Sequence, residues 1–413
     1  GGAETYVADL CRALVRAGHR VDLFAHTWDD GALPPEVGRI RVEAPGWTRR
    51  GRIGAFARNS AAALGSRSYD CTVGFINTWH HDVLIPQGGV HRASLDHNAR
   101  RFPPGWRRSL YRLSKRANPR WWAYRSIERR QYDPARGATV VAVSQMVKRH
   151  LERYNGVPGD RIRVIPNAID AARLAVADPQ ATRRDLRARH GLAADDLVAL
   201  FVGHNYWLKG LEPLLHALRH RRSRSPSSRP IHLLVCGGGK RAPFQALARR
   251  LGLEPTVHLI GFQDDVRPCY WASDLFVQPT YYDPCSLVVF EALACGLPVI
   301  TTACNGAGEL ITPGREGFVI SEPDALAPLA DALDHLTNDV IRRAMSGHAA
   351  RLAREQSFDN HVARMTRVFE EVAARKGDGG TRDQGPGTRH QKVSLAGPWS
   401  LVPGPSLPPS TPR

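Results

Sequence analysis

Apolar residues along the chain alternate between a helical period and a strand period. The first segment has apolar residues at helical spacing and ends at Gly18. Short apolar or alternating runs that are typical of strands follow it. In chain order, the pattern predicts a helix over 3–17, strands over 19–26, 71–76 and 138–144, a helix over 145–154 and a strand over 161–170. Strands that alternate with helices indicate a parallel sheet covered on both faces.

The same alternation restarts near residue 197. This half begins with a strand that runs into a polar loop, and its later strands are separated by helical stretches. The predicted elements are strands over 197–205, 231–240, 256–262, 275–280 and 297–302, helices over 211–219 and 243–251, and a mostly helical region over 325–375. We therefore expect an α/β protein built from two similar halves that join around 166–175.

The two ends of the chain show different features. Residues 377–413 are rich in Gly, Pro and Ser, a composition that predicts disorder. A loop with two glycines before a helix normally follows the first strand of such a domain, and here nothing precedes Gly1. We therefore expect the first sheet to lack its first, central strand.

Composition allows two full domains and indicates acidic partners. The 413 residues are 42% hydrophobic, and no apolar run approaches the roughly 18–20 residues that span a bilayer. The net charge of +18 is uneven, because 92–163 contains only five acidic residues among many arginines. Such a surface attracts nucleic acid, anionic membrane or acidic small molecules, although a high-GC genome also produces arginine at solvated positions. Seven scattered cysteines without a CxxC pair predict reduced thiols in a cytosolic protein.

Glycine-containing loops at strand ends and helix starts are candidate phosphate sites. "GGAET" offers the amides of Gly1 and Gly2 at a helix start, where a phosphate can bind. "GHNYWLKG" places His204 and Lys209 after a strand, where a cation can meet a diphosphate. The ordinary alternatives are a plain turn and a solvated lysine. "CGGGK" lacks the spacing of a P-loop and is interpreted as a tight turn.

The stretch "YYDPCSLVVFEALACGLPVITT" over 281–302 has carboxylates on both sides of a helix start. Asp283 lies in the loop, Ser286 lets a ligand approach the backbone, and Glu291 follows inside the helix. Two interpretations stay open on these residues alone. Either Asp283 caps the helix and Glu291 forms a salt bridge, or the two carboxylates bind the hydroxyls of a sugar nucleotide.

In combination, these motifs resemble the retaining glycosyltransferases of family 4, also called group 1, which have the GT-B fold. "DPCSLVVFEALACGLPV" resembles the family's Glu-x7-Glu element, with Asp283 in place of the first glutamate. "GGAET", "VAVS", "VIPNAID", "VGHNYWLKG" and "VHLIGFQDDV" follow in the family's order, from residue 1 to about 375. No single motif is specific, but the ordered set is. Among members of the family, the pattern is most like the lipopolysaccharide core glucosyltransferases.

The resemblance implies a fold of two Rossmann-like domains that face each other across a cleft. It places an acceptor domain at 1–168 and a nucleotide-sugar domain at 169–355. A C-terminal helix over 356–376 is expected to return to the first domain, and the tail over 377–413 stays outside both.

The resemblance also implies roles for the carboxylates and the helix start. Glu291 would hold the ribose hydroxyls of a nucleoside diphosphate sugar. Asp283 would meet the donor sugar, and the backbone amides of Ser286, Leu287 and Val288 would meet the sugar and its phosphates.

Further roles implied by the resemblance come from other loops. Lys209 would neutralise the diphosphate, and the backbone around Phe262 would contact the base. Gly1 and Gly2 would approach the phosphates from the first domain. His91, in "PQGGVHRAS", lies where the family often has a histidine near the reacting sugar. Lys209, Asp283 and His91 are thus the candidate catalytic residues.

Three departures from the family pattern concern the donor side of the site. His204 replaces a frequent phosphate-binding arginine, so diphosphate neutralisation is weaker or shared with another group. Asp283 is one methylene shorter than glutamate, and Ser286 replaces the usual glycine. These substitutions affect the choice of donor sugar rather than the fold.

The implied reaction is transfer of a hexose, glucose by the nearest resemblance, from a UDP-sugar with retention. No metal or other cofactor is expected, because Lys209 and helix dipoles can stabilise the departing diphosphate. The alternatives are another GT-B enzyme, such as an NDP-sugar epimerase, and a basic nucleic-acid-binding protein.

The segment over 100–130 interleaves Arg and Lys with Trp and Tyr, a composition typical of helices on anionic lipid. A nucleic-acid surface and a solvated helix with core tryptophans share this composition. Because first domains of the family bind the acceptor, we expect a glycan, lipid-linked or lipopolysaccharide acceptor. The predicted location is the cytoplasm, with peripheral binding to the inner face of the membrane.

Overall fold

A computed structural model describes residues 2–378 and 392–397. Within these ranges the chain forms two parallel sheets covered by helices. The first sheet has the order β2-β1-β13-β3-β4-β5-β6. Its strands are β1 (Arg20–Ala25), β2 (Gly38–Arg41), β3 (Cys71–Gly74), β4 (Val83–Leu84), β5 (Thr139–Ala142), β6 (Ile162–Val164) and β13 (Lys392–Ala396).

The second sheet has the order β12-β11-β10-β7-β8-β9. Its strands are β7 (Leu197–Val202), β8 (Ile231–Cys236), β9 (Val257–Gly261), β10 (Leu275–Gln278), β11 (Val299–Thr302) and β12 (Gly317–Ile320). The central strands are apolar runs buried on both faces, as their sequences predict. The predicted α/β class with two Rossmann-like halves is therefore confirmed.

Helices cover both sheets. Those of the first half are α1 (Gly2–Arg16), α2 (Arg49–Gly65), α3 (His91–Ala99), α4 (Trp106–Ala117), α5 (Pro119–Gln131) and α6 (Gln145–Asn155). Those of the second half are α7 (Pro179–Arg189), α8 (Leu211–Arg224), α9 (Ala242–Arg250), α10 (Arg267–Ala272), α11 (Leu287–Ala294), α12 (Leu326–His335), α13 (Asp339–Glu355) and α14 (Phe358–Asp378). No helix in the described part of the chain combines the length and the apolar character that crossing a membrane requires.

One strand corrects the prediction of a disordered tail over 377–413. β13 lies between β1 and β3 and pairs in parallel with both, so a C-terminal segment occupies a central position of the first sheet. Its "KVSLA" sequence has apolar side chains at Val393 and Leu395, and both are buried. The surrounding Gly and Pro dominate the composition and conceal a strand of five residues. The tail residues 379–391 and 398–413 lie outside the described residues, and the strand expected before residue 1 stays a prediction.

The strand predicted over 161–170 is shorter in the structure, where β6 ends at Val164. Pro166 has no amide hydrogen to donate to a neighbouring strand. Its carbonyl oxygen instead accepts a hydrogen bond from the ring of His361 on α14, at 2.8 Å. The chain therefore leaves the first sheet here and crosses to the second.

Helix α14 returns to the first domain. The His361 ring nitrogen Nε2 lies 2.8 Å from the hydroxyl of Tyr6 on α1. Near the helix end, the Lys376 ammonium lies 2.7 Å from the Asp82 carboxylate in the loop before β4. These contacts, near the two ends of α14, join the C-terminal helix to the first half of the chain.

Candidate active site

The carboxyl ends of the second sheet bring three separate loops together. β7 lies between β8 and β10, so the loops after β7 and β10 are neighbours although some 75 residues separate Lys209 from Asp283. At Gly210, where φ is 82°, the loop after β7 passes close to the loop after β10. A Cβ there would collide with the Pro279 carbonyl oxygen, which makes glycine necessary.

Lys209 and Asp283 form an ion pair at this edge. The Lys209 ammonium donates to Asp283 Oδ2, and the two side chains are 22% and 10% exposed. The Asp283 backbone is held on both sides, because its amide donates to the Cys304 carbonyl and its carbonyl accepts from the Gly306 amide, each at 2.9 Å. Asp283 thus does not cap α11, and the cation expected at the diphosphate already has a partner.

Glu291 is held by a hydroxyl, and among the described residues it forms no salt bridge. Tyr270 on α10 donates its hydroxyl to Glu291 Oε2 at 2.6 Å. Burial raises the pKa of Glu291, and the Tyr270 hydrogen bond partly opposes that shift. The pKa of Tyr270 is raised well above its ordinary value, first by burial and then by the nearby Glu291 carboxylate. The Tyr270 hydrogen bond therefore orients one oxygen of the Glu291 carboxylate.

The start of α11 is partly satisfied within the protein. The Ser286 amide donates to Asn305 Oδ1 at 3.3 Å, and its hydroxyl donates to Gln278 Oε1 at 3.1 Å. The serine hydroxyl that replaces the family's glycine is therefore turned into the sheet. Leu287 and Val288 open the helix, where first-turn amides lack an intrahelical acceptor and carry the positive end of the dipole.

His204 and Phe262 pack against each other at the carboxyl ends of β7 and β9. Their rings are stacked with centroids 6.2 Å apart and an angle of 24°. His204 Nδ1 accepts a hydrogen bond from the Gly238 amide at 3.3 Å, which brings the loops after β7 and β8 together. Phe262 is 62% exposed, so an apolar ring is open to a flat ligand group.

The first domain approaches from the opposite side through the loop before α3. The Tyr282 hydroxyl accepts a hydrogen bond from the Val90 amide at 3.1 Å. At Gly89, where φ is 68°, a Cβ would collide with that same hydroxyl. The loop that leads to His91 is therefore in direct contact with the loop that contains Asp283.

The glycine loop of the first domain reaches α11. A Cβ at Gly2 would lie 3.2 Å from Leu287 Cδ1, so the start of α1 packs against the start of α11. Gly1 lies outside the described residues. The start of α1 and the loop before α3 thus both contact the loop and helix that carry Asp283 and Glu291.

Further contacts hold the two domains together near the site. Glu309 accepts hydrogen bonds from the amides of Gln145 and Met146 at 2.7 and 2.6 Å. Ser144 donates its hydroxyl to the Pro284 carbonyl at 2.8 Å. The loop that contains Asp283 is therefore attached to the first domain at several points.

Three residues of this region carry no motif and were missed in the sequence. Tyr270 and Tyr282 act through contacts that only folding creates, although Tyr282 adjoins Asp283 in the chain. Glu128 on α5 is buried, accepts a hydrogen bond from the His91 amide at 2.9 Å, and has a pKa raised to about 7 by that burial. The only sequence signal for Glu128 is a single acid within a strongly basic segment.

Comparison with known proteins identifies the family. The model for glycosyltransferase family 4 matches residues 1–173, and the model for glycosyl transferases group 1 matches 182–353. A probable transglycosylase, BTH_I0986 of Burkholderia thailandensis, is 31% identical over 92% of this chain and 96% of its own length. The chain belongs to glycosyltransferase family 4. The resemblance and the predicted enzyme class, a hexosyltransferase, are thereby confirmed.

Two further proteins are similar to this glycosyltransferase. The lipopolysaccharide glucosyltransferase WaaG of Escherichia coli is 25% identical over 86% of this chain and 88% of its own. A WaaG crystal structure superposes with a TM-score of 0.73 at 23% identity, covering 89% of this chain and 96% of that one. Anabaena HepE, solved with UDP and glucose, has a TM-score of 0.62 at 19% identity, covering 90% and 96%. These superpositions confirm the GT-B fold.

Proposed function

We propose that this glycosyltransferase moves glucose from UDP-glucose to a glycan or a lipid-linked or lipopolysaccharide acceptor, with retention of configuration. The observation that carries the proposal is the convergence of Lys209, Asp283, Glu291 and Phe262 on one sheet edge, opposite His91. The names of WaaG and of the HepE complexes support glucose and UDP as the donor parts.

Each part of the donor has a partner at this edge. Glu291 Oε1 accepts the ribose hydroxyls while Tyr270 holds the other oxygen, and Phe262 packs against the base. The diphosphate meets Lys209 and the amides of Leu287 and Val288. Positive charge placed where negative charge develops lowers the barrier for departure of the diphosphate.

Diphosphate departure through Lys209 predicts a reaction that needs no metal ion. EDTA should leave the rate of UDP release unchanged, and a rate restored only by added Mg²⁺ or Mn²⁺ would overturn this part of the proposal. Lys209→Ala should lower kcat more than it raises the KM for the donor, because the charge on the diphosphate grows in the transition state.

Retention follows from attack by the acceptor hydroxyl on the face from which the diphosphate leaves. NMR of the first product formed should show an α-anomer from the α-linked donor. A β-anomer would refute it.

The acceptor side includes an apolar surface on the first domain. Trp106, Leu110 and Leu113 occupy one face of α4 at helical spacing and are 71%, 54% and 65% exposed, and Trp122 of α5 lies nearby in sequence. No residue of α4 is buried, which argues against the alternative of a core tryptophan for Trp106. We define this set of four residues as the hairpin surface.

Basic side chains lie beside the hairpin surface. Arg107 lies 5.4 Å above the Trp106 ring, and Lys115 lies 5.3 Å from the Tyr111 ring. Apolar side chains that insert below a ring of cations are the arrangement of an interfacial helix on anionic lipid. We propose that the hairpin surface places the first domain on the cytoplasmic face of the membrane, where a lipid-linked acceptor is available.

The donor is tested by calorimetric titration and by transfer. UDP-glucose should bind more tightly than GDP- or ADP-glucose, and should release UDP in the presence of a lipid-extract acceptor. An epimerase would instead interconvert the sugar of the nucleotide and release no UDP. The absence of UDP release with every sugar nucleotide and acceptor tried would overturn the proposal.

The membrane proposal is tested with vesicles. The protein should cosediment with phosphatidylcholine vesicles that contain phosphatidylglycerol, and the double variant Leu110→Asp, Leu113→Asp should stay in solution. Val340→Asp, at a 78% exposed site on the second domain, is the matched control. Binding to RNA or DNA that matches the affinity for these vesicles would favour the nucleic-acid alternative instead.

A further inference from the structure

Glu128 is a buried acid on the otherwise basic surface helix α5. It is 8% exposed, and its Oε1 accepts a hydrogen bond from the His91 amide at 2.9 Å. His91 is the first residue of α3, so the amide lies where a helix has no acceptor of its own. The bond therefore ties the start of α3 to α5.

A second side chain satisfies the adjacent amide from the other domain. Tyr282 accepts from Val90 at 3.1 Å, one residue before His91. The Glu128 carboxylate faces Tyr282 across the domain boundary, Tyr132 at the end of α5, and Arg125 on its own helix. Two consecutive amides at the start of α3 are thus held from two different elements.

The His91 ring is held by the same helix as its backbone. It packs on Tyr124 with ring centroids 4.2 Å apart and an angle of 34°. Tyr124 and Glu128 are four residues apart on α5, so they lie on one face of that helix. A shift at Glu128 consequently moves both the backbone and the ring environment of His91.

We propose that Glu128 is a positioning residue for the transfer step, which sets the place of His91 against the donor sugar through the first amide of α3. Glu128 does not itself touch the substrate. The inference rests on the proposed function, in which His91 faces the reacting sugar from the first domain. It also connects α5, which carries Trp122 of the hairpin surface, to the reaction centre.

The inference separates binding from turnover. The nucleotide is held by the second domain, so a change at Glu128 should leave UDP affinity unaltered while kcat falls. A displaced reacting group costs up to about 100-fold in rate, so we expect Glu128→Ala to lower kcat by about 10- to 100-fold. Glu128→Gln keeps an acceptor oxygen for the His91 amide and should stay within about threefold of the wild type.

A matched control distinguishes positioning from general stability. Glu316 is 4% exposed and accepts one backbone hydrogen bond, from the Thr312 amide at 2.9 Å, in the second domain. Glu316→Ala should lower the unfolding temperature as Glu128→Ala does, yet keep the kcat of the wild type. Loss of kcat in both variants would show a structural role only and would overturn the inference.

A spectroscopic readout tests the position of His91 directly. The imidazole resonances of His91, assigned by their absence in His91→Gln, should shift in Glu128→Ala as the ring leaves Tyr124, and should keep their wild-type positions in Glu128→Gln. Unchanged resonances and unchanged kcat in Glu128→Ala would refute positioning by Glu128 while hexose transfer by the wild type still supports the proposed function. A wild-type protein that binds UDP but transfers no hexose would overturn the proposed function itself.

Discussion

Removal of the Asp283 carboxylate should tighten UDP binding while it slows transfer. In the structure the Lys209 ammonium donates to Asp283 Oδ2, and under the proposed function this carboxylate and the diphosphate of the donor compete for the same cation. Asp283→Asn removes the negative charge and keeps the size of the side chain. The freed ammonium then binds the diphosphate without first giving up a partner, but the sugar loses its contact with the carboxylate.

The exposure of the pair limits the size of the effect. The Lys209 and Asp283 side chains are 22% and 10% exposed. The energy of their ion pair should therefore lie between that of a surface pair, which contributes up to about 1 kcal/mol, and that of a buried pair, which costs about 3–5 kcal/mol to break. We therefore expect UDP to gain about 1–2 kcal/mol in the variant, which corresponds to about 5- to 30-fold in Kd. The kcat for hexose transfer should fall at the same time.

Calorimetric titration with UDP measures the gain, and initial rates of UDP release measure the loss. Asp265→Asn is the control, because Asp265 is a 46% exposed carboxylate near the same edge, 2.8 Å from Arg267. It removes an equal charge without freeing Lys209, so UDP affinity should change less than about twofold. A Kd for UDP that is equal or higher in Asp283→Asn than in the wild type would refute competition for Lys209.

Three other changes test the site and the fold. Glu291→Ala should weaken UDP binding by about 1.5–3 kcal/mol in calorimetry, with a smaller loss in Tyr270→Phe, and unchanged affinity would exclude the ribose role. Leu395→Ala in β13 should lower the free energy of unfolding, measured in urea, by about 2–5 kcal/mol. The exposed control Val340→Ala should lower it by less than about 0.5 kcal/mol, and an equally small loss in Leu395→Ala would show that β13 adds nothing to the stability of the sheet. Because the pKa of Glu128 is raised to about 7, its contribution to stability is complete below the ordinary glutamate pKa and is lost as the pH rises through 7. Between pH 5 and pH 8, the free energy of unfolding of Glu128→Gln should therefore rise by up to about 3 kcal/mol relative to that of the wild type. A difference in unfolding free energy that stays constant over this range would contradict the raised pKa of Glu128.

Asp283 and Glu291 show how far local sequence reaches. Their spacing predicts a loop position for Asp283 and a position inside the next helix for Glu291, and the structure has them there, between β10 and α11 and within α11. Their partners are not local. Lys209 meets Asp283 because β7 and β10 are neighbours, and Tyr270 meets Glu291 from a separate helix.

The C-terminal tail shows a structure that composition does not predict. A composition rich in Gly and Pro predicts disorder, yet five of its residues form β13 between β1 and β3. Isolated, such a segment has no partner for its backbone groups, and the open position in the sheet supplies partners on both sides. Glu128 was missed for a related reason, since its burial and its bond to His91 depend on how α5 packs.

Periodicity and strand-end chemistry lie in short stretches of chain, and they were enough to predict the α/β class, the two-domain fold, the family and the loops of the candidate site. They do not predict which side chains meet: Lys209 with Asp283, Tyr270 with Glu291, Glu128 with His91, and β13 with its sheet. Each of these contacts depends on the order of strands and the packing of helices, and both are set by interactions between residues far apart in sequence.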